Sequence, residues 1–274
     1  MHRSCVAAAG WVLLLGGVAF AQSPRDLVNR MVQNELAAAK NDHSQWMYRD
    51  KNSQRGTTRV EEVVGTPEGS MRRLISVNGK PATADQEKRS QQDIQKFLTD
   101  PNYRKQQREK TERDAKKATE LLAMLPNAFL YSASGREGDT IRLAFRPNPK
   151  FSPPSREAKV FHAMEGMLLI DAKQMRLGKL SGHLLQNVDF GGGILAKLKK
   201  GGTFEVDQAD VGGGHWEITR LTTHISGRAL FFATITQQQD ETMSDFREVP
   251  AGTNLAKAAE LLKEIPAVAS LQKH

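Results

Sequence analysis

The sequence predicts an α+β protein built on a large, curved antiparallel sheet, with helices on the concave face and an inserted helical hairpin. Three observations predict it. The stretch 159–246 reads as long strands folded back at glycines: Gly201-Gly202, the Gly212-Gly213-Gly214 corner and Gly227. Residues that suit a pleated surface fill the segments between, as in His215-Trp216-Glu217-Ile218-Thr219. The stretch 83–125 instead loses almost all its aromatic and β-branched residues to Gln, Lys, Arg and Glu, the composition of solvated helix.

Taken in order, residues 1–21 predict a secretory signal peptide. His2 and Arg3 form a basic head, 6–20 are apolar, and Ala19 and Ala21 place small residues at −3 and −1 of a cleavage site after Ala21. The apolar run is short for a membrane span, so export to the periplasm is expected. Cys5 is the only cysteine and falls within that segment. Its removal excludes a disulfide, a thiolate nucleophile and a Cys-ligated zinc. The next 228 residues, 22–249, predict one domain, with 250–274 as a C-terminal helix and tail. Apolar residues at 39% suffice for a core.

Ser23-Pro24-Arg25-Asp26 starts a helix: Ser23 caps, Pro24 fits the first turn, and Val28, Met31, Val32, Leu36 and Ala39 make an apolar stripe. Strands over 45–51, 57–65 and 71–77 predict a meander, with 52–56 as its first turn and Asn78-Gly79 as a hairpin dipeptide. In the insertion 83–125, Pro101 divides two helices. Ile94, Phe97 and Leu98 anchor one end, Leu121, Leu122 and Leu125 the other, and 104–117 is solvated between them. Strands resume at 129–131 and 140–146. Repeated prolines make 147–154 a loop. Residues 158–170 and 176–187 then pair around Asp171-Ala172-Lys173-Gln174, and 229–236 forms a later strand. Because Gly166-Met167-Leu168-Leu169-Ile170 is apolar on both parities, both sheet faces are expected to be covered there.

Catalytic spacing is missing. No Gly-Lys-Ser/Thr follows the Gly191-Gly192-Gly193 run, no Gly-x-Ser-x-Gly elbow is present, and the histidines lack zinc-ligand spacing. Glu61 and Glu62 alternate across a strand and point to opposite faces. Asp240, Glu241 and Asp245 read as a solvated strand end. No enzyme, cofactor or metal is therefore expected. The formal charge of +8 suits anionic surfaces and is compatible with peripheral membrane contact. Interleaved acids and export speak against a nucleic-acid partner. A curved sheet under helices leaves an apolar groove that suits acyl chains. Its candidate liners are Trp46, Tyr48, Phe145, Met167, Leu169, Trp216, Phe231 and Ile235, each of which equally suits an ordinary core position.

The order of elements, together with Leu168-Leu169-Ile170-Asp171, Val188-Asp189-Phe190-Gly191, Gly227-Arg228-Ala229-Leu230-Phe231 and Asp245-Phe246-Arg247, resembles the periplasmic lipoprotein-carrier superfamily (LolA-, LolB- and RseB-like proteins). The resemblance implies an incomplete β-barrel with helices as a lid, and a soluble carrier of lipid or lipoprotein acyl chains. The RseB-like branch implies an alternative, an envelope protein-interaction or stress-sensing module that meets a protein partner through 99–117. The charged insertion is long for a simple lid, and no family site residue maps onto this chain.

Overall fold

A computed structural model describes residues 22–190, 196–229 and 238–264. Helix α1 (Pro24–Asn41) precedes strands β1 (Trp46–Gln54), β2 (Thr57–Thr66), β3 (Gly69–Val77) and the short β4 (Lys80–Pro81). Helices α2 (Ala84–Thr99) and α3 (Pro101–Ala128) follow, then β5 (Phe129–Glu137), β6 (Thr140–Pro147) and a 3₁₀ helix (Glu157–Ala163). The remainder comprises β7 (Met164–Asp171), β8 (Arg176–Leu184), β9 (Val188–Phe190), β10 (Ala196–Leu198), β11 (Thr203–Gly212), β12 (His215–His224), β13 (Gly227–Ala229), β14 (Gln238–Glu248) and α4 (Leu255–Glu264).

Eleven strands form one antiparallel sheet in the order β4-β3-β2-β1-β14-β12-β11-β8-β7-β6-β5, and the sheet does not close into a barrel. Strands β13, β10 and β9 make a second, three-stranded sheet. The join between the two halves of the large sheet is β14 on β1, from Trp46–Glu248 to Gln54–Gln239. Residues 240–245 thus lie within a strand and not at its end, with Asp240 and Asp245 solvated as expected and Glu241 half-buried. Turn chemistry explains the longer first hairpin. Arg55 and Gly56 both take positive φ, as do Asn78 and Gly79, the geometry of a two-residue turn matched to strand twist. Strand pairing therefore continues through Asn52, Ser53 and Gln54. The stretch 157–163, expected as strand, is helical instead: Ser155 Oγ accepts from the Ala158 N–H, and Val160 and Phe161 turn into the core.

Two hydrophobic cores occupy opposite faces of the sheet. At the β5–β8 end, Leu143, Phe145, Leu168 and Ile170 point to the inner face, against Val28, Met31 and Val32 of α1, Leu125 of α3 and Phe161. Phe129 centres an aromatic cluster, 4.7 Å from Phe145 and 5.3 Å from Phe161 between ring centroids. At the β1–β3 end, Met47, Val64 and Met71 point to the other face, against Phe97 of α2 and Ala258, Ala259 and Leu262 of α4. The helices are therefore not all on one face as expected.

Helix α3 links the two cores. Asp100 Oδ1 caps it by accepting from the N–H groups of Asn102 and Tyr103, with Pro101 in the first turn. Its first turns lie beside β3 and α2, its last turns beside α1 and β5. Twenty-eight residues give it a length of about 42 Å at the standard helical rise. It reaches from one end of the sheet to the other, with a largely exposed polar middle. The insertion is thus anchored at both ends and solvated between them, a strut across the sheet.

Candidate functional site

Residues directly opposite one another on paired strands share a face. On that basis one row can be followed across the inner face. Leu143, Leu168, Leu180, Val206 and Leu221 stand in register on β6, β7, β8, β11 and β12. The row continues through Glu241 on β14, Asn52 on β1 and Arg59 on β2. Five apolar positions are followed by three polar ones. Leu143 and Leu168 are sealed in the core, whereas Leu180, Val206 and Leu221 are half-buried. The described helices meet the large sheet broadly at β2, β3, β5, β8 and, through the 3₁₀ helix, β6; β1, β11, β12 and β14 have no such contact, nor has β7, whose Leu168 and Ile170 are nonetheless sealed in the core. Four adjacent strands in the middle of the sheet thus carry no broad helical cover.

Beside this strip β7 and β8 approach closely, for a local reason. Gly166 and Gly182 oppose each other on β7 and β8, and Phe204 lies over Gly182. A Cβ on either glycine would run into the neighbouring backbone, Ser181 O or Glu165 O. Only glycine allows this approach.

The polar half of the face is a connected network. Arg72 Nη1 donates to Asp50 Oδ2 at 2.6 Å and lies 3.4 Å from Glu61 Oε2. Arg59 bonds Glu61 Oε1 at 2.9 Å. Asp50 is 3% exposed, and its Oδ1 has no fixed donor. Glu241 lies within hydrogen-bonding reach of Asp50. Burial, and then the Asp50 charge, raise the Glu241 pKa above the usual carboxylate range. Burial also raises the Tyr48 hydroxyl pKa. Arg72 is held charged: its loss of solvent is outweighed by Tyr48, Asp50 and Glu61.

A cleft of about 420 Å³ opens at the end of this network, between β3 and the α2–α3 pair. Its walls carry Arg59, Arg72 and Arg89 together with the carboxylates Glu61 and Asp93, and Leu74, Ile94 and Tyr103 as apolar surface. A second cleft of about 480 Å³ lies between α2 and α4, around Arg73, Leu98 and Leu262.

At the other end of β12, His215 Nδ1 is 2.9 Å from Asp42 Oδ2 and 3.4 Å from Ser44 Oγ. Trp46 Nε1 donates to Ser44 Oγ at 2.8 Å, and its ring meets His215 edge-on. Composition suggests a serine triad, but geometry does not provide one. Serine and carboxylate approach the same ring nitrogen, whereas a triad needs them on opposite nitrogens. The group clasps the α1–β1 connection to the β12 hairpin. Burial acts against the Asp42 charge, but hydrogen bonds from Ser44 and His215 bring its pKa down to about 2. The Asp42 bond raises the pKa of His215. Burial raises that of Glu217 nearby. Among the described residues, no group of three or more His, Cys, Asp or Glu is arranged to hold a metal ion. No described helix is long and apolar enough to cross a membrane.

The expected liners do not meet in one groove. Trp46 is buried beside His215, and Tyr48 stacks on Phe246 at the polar end of the inner face. Phe145 is core, within the aromatic cluster. Met167 and Leu169 point to the outer face, opposite Ser181 and Lys179, because alternate residues of β7 point opposite ways. Trp216 bonds Gln174 Oε1 through its indole N–H and lies over Arg176, 5.7 Å from ring centroid to guanidinium carbon. Phe231 and Ile235 lie outside the described residues. Sequence reading missed Leu180, Val206 and Leu221, whose alternation within β8, β11 and β12 was the available signal. It also missed Asp50 and Glu241, which converge only through the β1–β14 pairing.

No family model, curated protein or solved structure matches the chain.

Proposed function

We propose that this chain is a non-enzymatic binding protein of the cell envelope, which carries an apolar chain of a lipid or lipoprotein along its inner sheet face. The observation that supports this best is the strip Leu180, Val206 and Leu221. From Leu180, which packs against the core on β8, it continues onto β11 and β12, which have no broad contact with the described helices. Apolar surface left half-buried beside a packed core is where a further apolar group gains most, about 0.8 kcal/mol per buried methylene. The leader-like residues 1–21 support export. The sealed aromatic cluster restricts cargo to the middle of the sheet and leaves the β5–β7 end as scaffold.

The interaction-module alternative places partner contact on 99–117. Charges there are paired along the helix, Lys105 with Glu109 at 3.9 Å and Arg108 with Glu112 at 3.8 Å. That is the pattern of a solvated strut, and it favours carriage.

The test is lipid extraction and mass spectrometry of the gently purified protein, with displacement of a fluorescent fatty acid. Co-purified lipid and saturable displacement are expected. A lipid-free protein that does not bind the fluorescent fatty acid would overturn the reading.

A further inference from the structure

The cleft at the polar end of the inner face has a chemistry that an apolar chain does not use. Its first feature is the outer edge of β3. The Leu74 N–H points away from β2 and donates to Ser90 Oγ at 2.9 Å. In an antiparallel strand every second N–H faces the same side. Pairing of β3 with β2 is regular from Gly69 to Leu74, so the N–H groups of Arg72 and Ser70 face the cleft as well. Strand β4 pairs only with Ser76 and Val77 and leaves them uncovered. Among the described residues no other element accepts from them.

The second feature is the guanidinium set. Arg72 and Arg59 are held in place by Asp50 and Glu61. Arg89, exposed on α2, makes no ion pair within 4 Å among the described residues and lines the same cleft, with Asp93 one turn further along the helix. Backbone donors beside a positioned guanidinium and an uncommitted one make a binding geometry for an oxyanion.

We propose that this cleft receives the anionic end, a carboxylate or phosphate, of an amphipathic ligand whose tail lies on the Leu221–Val206–Leu180 strip. The assignment rests on the carrier reading. From Leu221 to Arg59 the row crosses three strand spacings, about 14 Å, so one molecule of ordinary lipid length reaches both. The oxyanion accepts from Arg89, from the free edge of Arg72 and from the two outward N–H groups. The tail crosses the polar positions Asn52 and Glu241 along the inner face before it reaches Leu221.

The experiment compares three ligands with the same fourteen-carbon tail, myristate, myristoyl lysophosphatidic acid and monomyristoylglycerol, on the full chain and on Arg89→Gln. The anionic ligands are expected to bind about tenfold tighter than the neutral one, equivalent to about 1.4 kcal/mol. Arg89→Gln should remove most of that preference and leave the glyceride unchanged. A preference for only one of the two anions assigns the group as carboxylate or phosphate. Equal binding of all three, or a preference that survives Arg89→Gln, overturns the head-group site and leaves carriage standing. Failure of all three to bind overturns both.

Discussion

Leu221 and Glu241 face each other across β12 and β14, at the point where the inner face changes from apolar to polar. This pair marks the boundary between the surface suited to an acyl chain and the surface suited to its head. Replacing Leu221 by Asp places a charge within the strip while leaving both packed cores untouched. Fatty-acid affinity is expected to fall at least tenfold, whereas unfolding free energy changes by less than about 1 kcal/mol. Fluorescence titration beside urea denaturation reads both. Unaltered affinity would remove the strip from the binding site.

Glu35 and Arg176 join α1 to β8 through a two-point ion pair, at 2.8 and 3.0 Å, and Glu35 also accepts from the Leu177 N–H at 2.8 Å. Both side chains are largely buried. Glu35→Ala leaves a buried guanidinium and a backbone donor without an acceptor. The expected cost is about 3–5 kcal/mol, as for other broken buried pairs, measured as a shift in the urea midpoint. A cost below 1 kcal/mol would mean that α1 is held by its apolar stripe alone.

Gly166→Ala is expected to destabilise by about 2–3 kcal/mol through overpacking against the β8 backbone. Gly79→Ala has open space at its Cβ but a positive φ, so its penalty is conformational and smaller, about 1 kcal/mol. Equal effects in thermal or chemical denaturation would refute the close β7–β8 approach.

The Asp50–Glu241 pair predicts a pH dependence. The folded pKa of Glu241 lies above its ordinary value of 4.5. The folded state therefore holds the proton more tightly than the unfolded state, and stability falls as pH rises from 4.5 through the raised value. Glu241→Gln keeps a donor beside Asp50 and lacks that fall. Urea midpoints at pH 4.5 and 8 should differ less in the variant than in the parent chain; parallel curves would dissolve the pair.

The Asp42–His215 clasp runs in the opposite sense at its acid end. The His215 contribution is complete below 6.5 and is lost as pH rises through its raised folded value. The Asp42 contribution is complete above 3.8 and is lost as pH falls through about 2. His215→Gln is expected to remove the alkaline part of this profile and leave the acid part reduced. Denaturation midpoints across the range test it.

Much of the fold was legible because local chemistry and final structure agree. Ser23-Pro24, Asn78-Gly79 and Pro101 mark boundaries that caps and turns enforce within a few residues. The apolar stripe of α1 named the residues that pack on the inner face, Val28, Met31 and Val32. The site was less legible. Met167 and Leu169 look like groove liners because β7 is apolar on both parities, and only register shows that they point outward. The 3₁₀ helix 157–163 was unreadable as such because Val160 and Phe161 are equally good strand residues.

The sequence by itself determined most strands of the large sheet, several of their turns, the solvated character of α3 and the lack of a catalytic motif in the chain, since each depends on a few neighbouring residues. Tertiary structure alone decided which strands adjoin and therefore which side chains share a face. Asp50 and Glu241 are 191 positions apart, and nothing local brings them together; the β1–β14 pairing does. Two cores on opposite faces, bridged by one helix, leave β1, β11, β12 and β14 without broad contact from the described helices. That arrangement is a property of packing, set by where the helices find apolar surface to bury.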